Sequence, residues 1–223
     1  MNLLQEITTL LKKEIILEWR QKYAFNGILL YVVSTIFVCY LSFNLQKSQL
    51  NPLTWNALYW IILLFTATNA IAKSFIQESE GRQLYYYTLV SPEAIILSKI
   101  IYNTLLMWLM SLIGYAIYSL VLGNPVQDKA LFFFNILLGG LGFSATLSMI
   151  SAIASKSNNS GTLMAVLGFP VMLPLLLLLI KISKNAIDGL ALSVSYDEMS
   201  TLLAINVIVV AVSYLLFPYL WRS

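Results

Sequence analysis

The sequence contains no histidine, one cysteine and few charged side chains. Asp, Glu, Lys and Arg make up 10% of the 223 residues, against about 25% in a typical soluble domain. Without histidine the chain lacks the commonest side-chain ligand of metals and haem iron. Cys39 has no second cysteine with which to form an intrachain disulfide. The net charge of +3 includes no basic cluster of the kind that binds nucleic acid. We therefore expect no metal site, no disulfide framework and no nucleic-acid partner.

Motifs that carry catalysis are also missing. The sequence has no GxxxxGK[ST] phosphate loop, no HExxH and no GxSxG. Its one glycine cluster, around Gly140, lies inside an apolar run with no lysine after it. Gly140, Ser144 and Ser148 are four residues apart, which places small side chains on one helix face and favours close helix contact. These features predict a chain without catalytic residues, in which ATP is not bound and the glycines serve packing.

Long apolar runs are what the sequence has in abundance. Hydrophobic residues make up 59% of the chain, and roughly 20 apolar residues suffice for a helix to cross the hydrocarbon core. The pattern predicts an all-α polytopic membrane protein with six transmembrane helices in a single domain, 1–223. The predicted spans are 24–43, 53–72, 100–122, 130–154, 162–180 and 200–220. In the fifth span, Pro170 and Pro174 predict a helix kink. A kink of that kind serves helix packing or opens a substrate-binding break, and the sequence leaves both readings open.

Residues 3–22 carry apolar side chains at helical spacing. The stripe consists of Leu4, Ile7, Leu11, Ile15 and Trp19, and charged residues occupy the other faces. An amphipathic helix of this kind lies in the membrane interface. The alternative is a plain cytoplasmic tail, which the stripe and the tryptophan disfavour.

Lysine and arginine are distributed unevenly between the two predicted sides of the membrane. One side holds nine of these residues and the other holds four, and the richer side is cytoplasmic by the positive-inside rule. The nine are Lys12, Lys13, Arg20, Lys22, Lys73, Arg82, Lys99, Lys156 and Arg222, and the four are Lys47, Lys129, Lys181 and Lys184. Both termini are therefore expected in the cytoplasm.

The predicted spans contain asparagines but no charged residue near a centre. Asn69, Asn103, Asn135 and Asn206 lie within spans. Ion-coupled carriers usually place an acid or base in mid-membrane, so secondary transport is disfavoured. Asparagine in a span more often joins helices through hydrogen bonds, and we interpret these four in that way.

The longest polar connection is 73–99. Ser91, Pro92 and Glu93 supply an N-cap, a first-turn proline and an acid near a helix N-terminus. Before them, tyrosine-rich residues predict a short cytoplasmic helix. Such a helix is suited to docking on another protein, although an inert interfacial loop fits the sequence equally well.

The order of these features resembles a known family. An amphipathic first helix containing Glu18 and Arg20 precedes two spans and then the connection ending in LVSPEAIILSK. A fourth span rich in small residues, a KSNNSG turn and a fifth span reading GFPVMLPLLL follow. The whole chain is similar in length, order and spacing to the haem exporter protein B family, the permease subunit of the cytochrome c maturation ABC complex.

The resemblance implies an ABC-2 exporter-type permease in which residues 77–90 form the coupling helix that docks on an ATPase subunit. The implied docking residues are Gln77, Glu78, Glu80, Gly81, Arg82, Leu84, Tyr85, Tyr86 and Leu89. The family's acidic-glycine element corresponds here to Glu78, Ser79, Glu80 and Gly81, a departure that affects which of these residues dock.

Partners and location also follow from the resemblance. It implies an ABC ATPase subunit, a haem-handling membrane protein and a small single-span subunit in a bacterial inner membrane. ATP and haem would be handled by those partners, with no cofactor bound by this chain, and a homodimer within the complex is one arrangement it allows. The alternatives are an ABC-2 permease for another substrate, such as a drug or polysaccharide, and a membrane scaffold without energy coupling. Co-purification of ATPase and cytochrome c maturation subunits discriminates between these functions.

Reporter fusions test the predicted topology. Fusions at Glu80 and Ser157 should report a cytoplasmic location, and those at Gln49, Asp128 and Asp188 an exterior one, because an even number of spans separates the termini. A cytoplasmic signal at Asp188 would refute the six-span arrangement.

Overall fold

The computed structural model describes residues 2–21, 23–45, 50–71, 73–76, 89–157 and 159–222. Within these ranges the regular secondary structure is α-helical apart from one 3-10 turn. The helices are α1 (Leu3–Gln21), α2 (Tyr23–Leu45), α3 (Pro52–Ile71), α4 (Lys73–Ile76), α5 (Pro92–Leu122), α6 (Lys129–Ala154), α7 (Ser160–Ile187) and α8 (Tyr196–Arg222), and the 3-10 turn is Leu192–Ser195. The predicted all-α class is confirmed.

Five helices in the described part of the chain are long and apolar enough to cross a membrane. They cover Phe25–Phe43, Pro92–Leu122, Lys129–Ala154, Ser160–Ile187 and Leu192–Trp221. The span predicted over 53–72 coincides with α3, which is not one of these five helices. The chain is therefore a multi-pass membrane protein.

Helix α6 occupies the centre of the bundle. It packs against α3, α4, α5, α7 and α8, and most of its side chains are buried. Its glycines permit this contact, since a Cβ on Gly139 would lie 2.8 Å from the Trp60 ring and one on Gly142 2.6 Å from Leu175. Ser144 and Ser148, four and eight residues after Gly140, are fully buried. The predicted packing role of the small-residue face is thus observed.

Aromatic side chains of α3 and α5 form a buried cluster. Trp55, Tyr59 and Tyr118 are buried, and their rings lie 4.8–5.9 Å apart between centroids. Their polar atoms are satisfied: Trp55 Nε1 donates to the carbonyl of Gly123 at 2.9 Å, and Tyr118 Oη donates to the carbonyl of Trp55 at 2.9 Å. A buried aromatic group without such a partner would be destabilising. This cluster joins the first turn of α3 to the last turn of α5.

Three of the four predicted asparagine contacts join helices. Asn103 donates to Ser148 Oγ at 2.8 Å, and Asn206 donates to the Leu138 carbonyl at 3.0 Å. Asn135 donates to the Leu179 carbonyl at 2.8 Å. Asn69 differs, since it is exposed.

Two helices are longer than the predicted membrane spans that they contain. Helix α5 begins at Pro92 rather than near residue 100, in agreement with the start signal at Ser91–Glu93. Helix α7 continues to Ile187, seven residues past the predicted end at 180, and includes Lys181. Its last turns tolerate lysine because long basic side chains reach the membrane surface and favour helix C-termini.

Replacing Gly140 by alanine should destabilise the bundle. The new Cβ would lie 2.6 Å from Cδ1 of Trp108, and that ring is held by a 2.9 Å hydrogen bond from Nε1 to the Leu137 carbonyl. Overpacking of this kind costs about 1–3 kcal/mol, which thermal unfolding in detergent would measure. The matched control is Gly27→Ala in α2, where a Cβ meets nothing within 4 Å. Equal stability of the two variants would contradict the close packing of α5 on α6.

Candidate functional site

The predicted docking residues fall almost entirely outside the described part of the chain. Gln77, Glu78, Glu80, Gly81, Arg82, Leu84, Tyr85 and Tyr86 belong to 77–88, which the structure does not describe. Leu89 is described and is 54% exposed. What the structure defines is how the two flanks of this segment are held, by α4 before it and by residues 89–91 after it.

The flank that enters the segment is buried in the protein. Phe75 of α4 is 2% exposed, and its ring lies 5.5 Å from that of Phe217. The amide of Phe75 donates to Ser151 Oγ at 3.3 Å. Lys99 Nζ donates to the carbonyl of Ser74 at 2.9 Å. Four residues could not form a stable helix alone, so α4 owes its position to these contacts.

The flank that leaves the segment is held by α1. Glu6 Oε2 accepts hydrogen bonds from the Ser91 amide at 3.0 Å and the Ser91 hydroxyl at 2.6 Å. Ser91 is the N-cap of α5, but its side chain makes no cap hydrogen bond. The hydroxyl is used instead to fasten α1 to the beginning of α5.

A buried cation connects α1 with the entering flank. Lys99 is 7% exposed and its Nζ lies 3.1 Å from Glu14 Oε1. The same ammonium lies 5.5 Å from the centre of the Phe75 ring. A charge buried in this way must be paired to be tolerated. Lys99 thus links α1, α4 and α5 through one ion pair and one hydrogen bond to the Ser74 carbonyl.

Two carboxylates of α1, those of Glu6 and Glu14, have lowered pKa values. Hydrogen bonds from the Ser91 hydroxyl and amide lower the pKa of Glu6. Burial acts to raise the pKa of Glu14, but attraction to Lys99 and Lys13 outweighs it, and the pKa lies below the ordinary value of 4.5. Both groups therefore stabilise the folded arrangement at neutral pH. That contribution is lost as the pH falls below 4.5 through the lowered pKa values.

These contacts belong to a second hydrophobic cluster, which we call the anchor cluster. It lies at one end of the bundle and brings together α1, α4, the first turns of α5, the end of α6 and the end of α8. Its buried members are Ile7, Leu10, Phe75, Ala94, Ile95, Ile96, Ile100, Ala145, Ala152, Phe217 and Trp221. The other end of the bundle is closed by different contacts, such as the 2.9 Å hydrogen bond from the Asp128 amide to the Ala186 carbonyl.

The role of Lys99 is not predictable from the sequence alone. The sequence pattern places Lys99 in the polar connection 73–99, whereas the structure shows it buried in α5. Glu14 belongs to a charged face of the predicted first helix, and in the structure it pairs with Lys99 of α5. Of the apolar stripe, Ile7 is buried and Trp19 is 75% exposed. The eight-residue spacing of Glu6 and Glu14 was the one available signal, but their partners depend on how α1 is aligned against α5.

The two prolines of α7 lie apart from this site. Pro170 and Pro174 are inside the helix, and both are exposed on its outer surface. A functional bend at these positions remains a prediction.

Replacing Lys99 by methionine should destabilise the protein far more than the same change at Lys181. Lys99→Met leaves Glu14 largely buried without its nearest cation on α5 and the Ser74 carbonyl without its donor, which we expect to cost about 2 kcal/mol or more.

The control pair is Lys181 with Glu198, which lie 2.6 Å apart. The Lys181 side chain is 63% exposed, and an exposed pair contributes less than about 1 kcal/mol. Thermal unfolding of both variants in detergent measures the difference. Equal shifts would contradict the anchoring role of Lys99.

Comparison with protein families identifies the chain over nearly its whole length. The family model described as CcmB protein matches residues 5–220. Neither the curated proteins nor the solved structures gave a match. The matched range includes α1 from Gln5 onward, the anchor cluster except Trp221, and the five apolar helices as far as Leu220. The chain therefore belongs to the CcmB protein family, the haem exporter protein B family.

Proposed function

We propose that the chain is the membrane permease subunit of an ABC-type complex for cytochrome c maturation. The CcmB family match over residues 5–220 is the observation that carries this proposal. In this role the chain hydrolyses no ATP and supports haem export, or release of a haem-loaded chaperone, by changing the arrangement of its helices. The energy comes from a separate ATPase subunit. A haem-handling membrane protein and a small single-span protein complete the complex.

The proposed topology has six spans, with both termini in the cytoplasm of a bacterial inner membrane. In this topology α3 crosses the membrane in addition to the five apolar helices. Support comes from its two ends. Trp55 contacts the end of α5 at Gly123, whereas Phe75, just after α3, lies in the anchor cluster and donates its amide to Ser151 Oγ. A helix of 20 residues spans about 30 Å, which is enough to connect the two ends of the bundle.

The cytoplasmic side is then the side of the anchor cluster. The N-terminal helix, the 73–76 and 89–91 flanks, and the C-terminal turn of α8 all meet there. Lys156 joins them, with Nζ 5.9 Å from the centre of the Trp221 ring. This grouping agrees with the distribution of lysine and arginine, from which the cytoplasmic side was predicted.

Segment 77–88, together with Leu89, is proposed to dock on the ATPase. A docking segment transmits force only if its flanks are fixed to the helices that must move. Here the entering flank is tied to α5 and α6 through Lys99 and Ser151, and the leaving flank is tied to α1 through Glu6. Displacement of the segment would therefore move α1, α5 and α6 together.

Haem is proposed to be ligated outside this chain. The sequence contains no histidine, which is the commonest side-chain ligand of haem iron, and its only cysteine is Cys39. A partner subunit would supply the ligands, in agreement with the division of labour that the family implies.

Two substitutions in the docking segment should uncouple the complex. Gly81→Arg adds bulk and charge, and Tyr86→Asp removes an aromatic anchor, a kind of residue whose loss costs about 2 kcal/mol or more in an interface. That corresponds to roughly thirtyfold weaker binding. We expect normal membrane insertion, loss of ATPase co-purification and absence of c-type cytochromes.

The control is Asn159→Asp, which adds a negative charge in the other predicted cytoplasmic turn. Asparagine and aspartate cap helices about equally well, so α7 should keep its start. Normal cytochrome c assembly in the double variant, at normal protein level, would refute docking through 77–88.

A further inference from the structure

An open groove of about 420 Å³ lies where α1 and α2 meet the side of α5. Its volume is within the range of about 300–1,000 Å³ that is typical of ligand sites. The groove is predominantly apolar. Its apolar lining is formed by Ile15, Trp19, Phe25, Leu105, Leu106 and Leu109.

The polar residues of the groove are gathered at one end. Glu18 accepts a hydrogen bond from the Phe25 amide at 2.7 Å and another from the Tyr102 hydroxyl at 3.2 Å. Asn26 lies beside them in the groove lining. Along α5 the lining changes from Tyr102 to Leu109, a rise of about 10 Å. The groove is thus polar at the corner between α1 and α2 and apolar toward the middle of the membrane.

The outer surface of α1 is basic although the helix as a whole is not. Glu6, Glu14 and Glu18 are directed toward Ser91, Lys99 and Tyr102 of the protein. Lys12 and Arg20 are exposed. Because the acids are directed inward, the exposed charges on the helix that lines the groove are Lys12, three residues before Ile15, and Arg20, next to Trp19.

We propose that this groove binds one acyl chain of an anionic phospholipid. The apolar lining would receive the chain. The headgroup would lie beyond the polar end, where the Glu18 carboxylate is already hydrogen-bonded to the Phe25 amide and the Tyr102 hydroxyl, and the exposed cations of α1 would supply the positive charge. Three observations favour lipid over other occupants: the polar-to-apolar gradient, the position on the outer side of a membrane-spanning helix, and the basic outer surface of α1. The lining includes no residue of the central helix α6, and Leu105 and Leu109 on α5 are nearly half exposed.

Bound lipid would add an apolar contact between α1 and α5, beyond the ion pair of Glu14 with Lys99. Trp19 and Ile15 are 75% and 49% exposed in the chain alone, and an acyl chain in the groove would cover part of both. This inference concerns lipid binding and does not depend on the proposed permease function.

The test uses the purified full chain in detergent, titrated with dioleoyl phosphatidylglycerol and followed by native mass spectrometry. Leu109→Trp and Leu105→Trp each fill the groove with a larger side chain. Both positions are nearly half exposed, at 46% and 47%, so folding should be preserved and is checked by circular dichroism. The control is Leu120→Trp on the same helix, at a position that is 84% exposed and outside the groove.

We expect one saturable lipid adduct on the wild-type chain and on Leu120→Trp, and about tenfold weaker binding to both groove variants. Phosphatidylcholine with the same chains should bind more weakly to the wild type, and Arg20→Gln should reduce that difference. Equal binding to all four chains would overturn the groove as the site. Equal binding of the two lipids would overturn the anionic preference. Absence of any saturable adduct on the wild type would overturn the proposal.

Discussion

Lys99 imposes a constraint that organises one end of this protein. Lys99 belongs to a long apolar helix, and its side chain is almost fully buried. The ammonium group therefore requires a counter-charge and hydrogen-bond acceptors inside the protein. Glu14 supplies the charge and the Ser74 carbonyl accepts a hydrogen bond. Because these partners come from α1 and from α4, the requirement of one cation ties both elements to α5. The anchor cluster then forms around them.

The rest of the bundle depends on close packing rather than on charge. Helix α6 is surrounded by five other helices, and its glycines and serines allow tryptophans and leucines of its neighbours to approach the backbone. In a membrane, where lipid is as apolar as the side chains, such packing and interhelical hydrogen bonds are what hold helices together. The protein thus combines a densely packed centre with a charge-linked end. In the proposed mechanism the charge-linked end receives the motion and the packed centre carries it through the membrane.

Much of the architecture is predictable from the sequence, because each helix is indicated by a local sequence pattern. Apolar runs located the long helices, Ser91–Glu93 marked the beginning of α5, and the spacing of Gly140, Ser144 and Ser148 indicated a packed face. The network around Lys99 was not predictable, because it depends on the relative alignment of three helices. The predicted fifth span ends at residue 180, before its first lysine, whereas helix α7 continues to Ile187. The docking residues themselves rest on the family, since 77–88 lies outside the described ranges.

The proposed mechanism depends most directly on contact between segment 77–88 and an ATPase subunit. A photo-reactive benzophenone amino acid at position 86, introduced into the chain within its assembled complex, measures that contact. We expect a covalent adduct with the ATPase on illumination. The same group placed at Asn124 should give none, because Asn124 lies at the opposite end of the bundle beside Gly123 and the aromatic cluster. Adducts from position 86 with lipid alone, in a complex that retains its ATPase, would contradict the proposed mechanism.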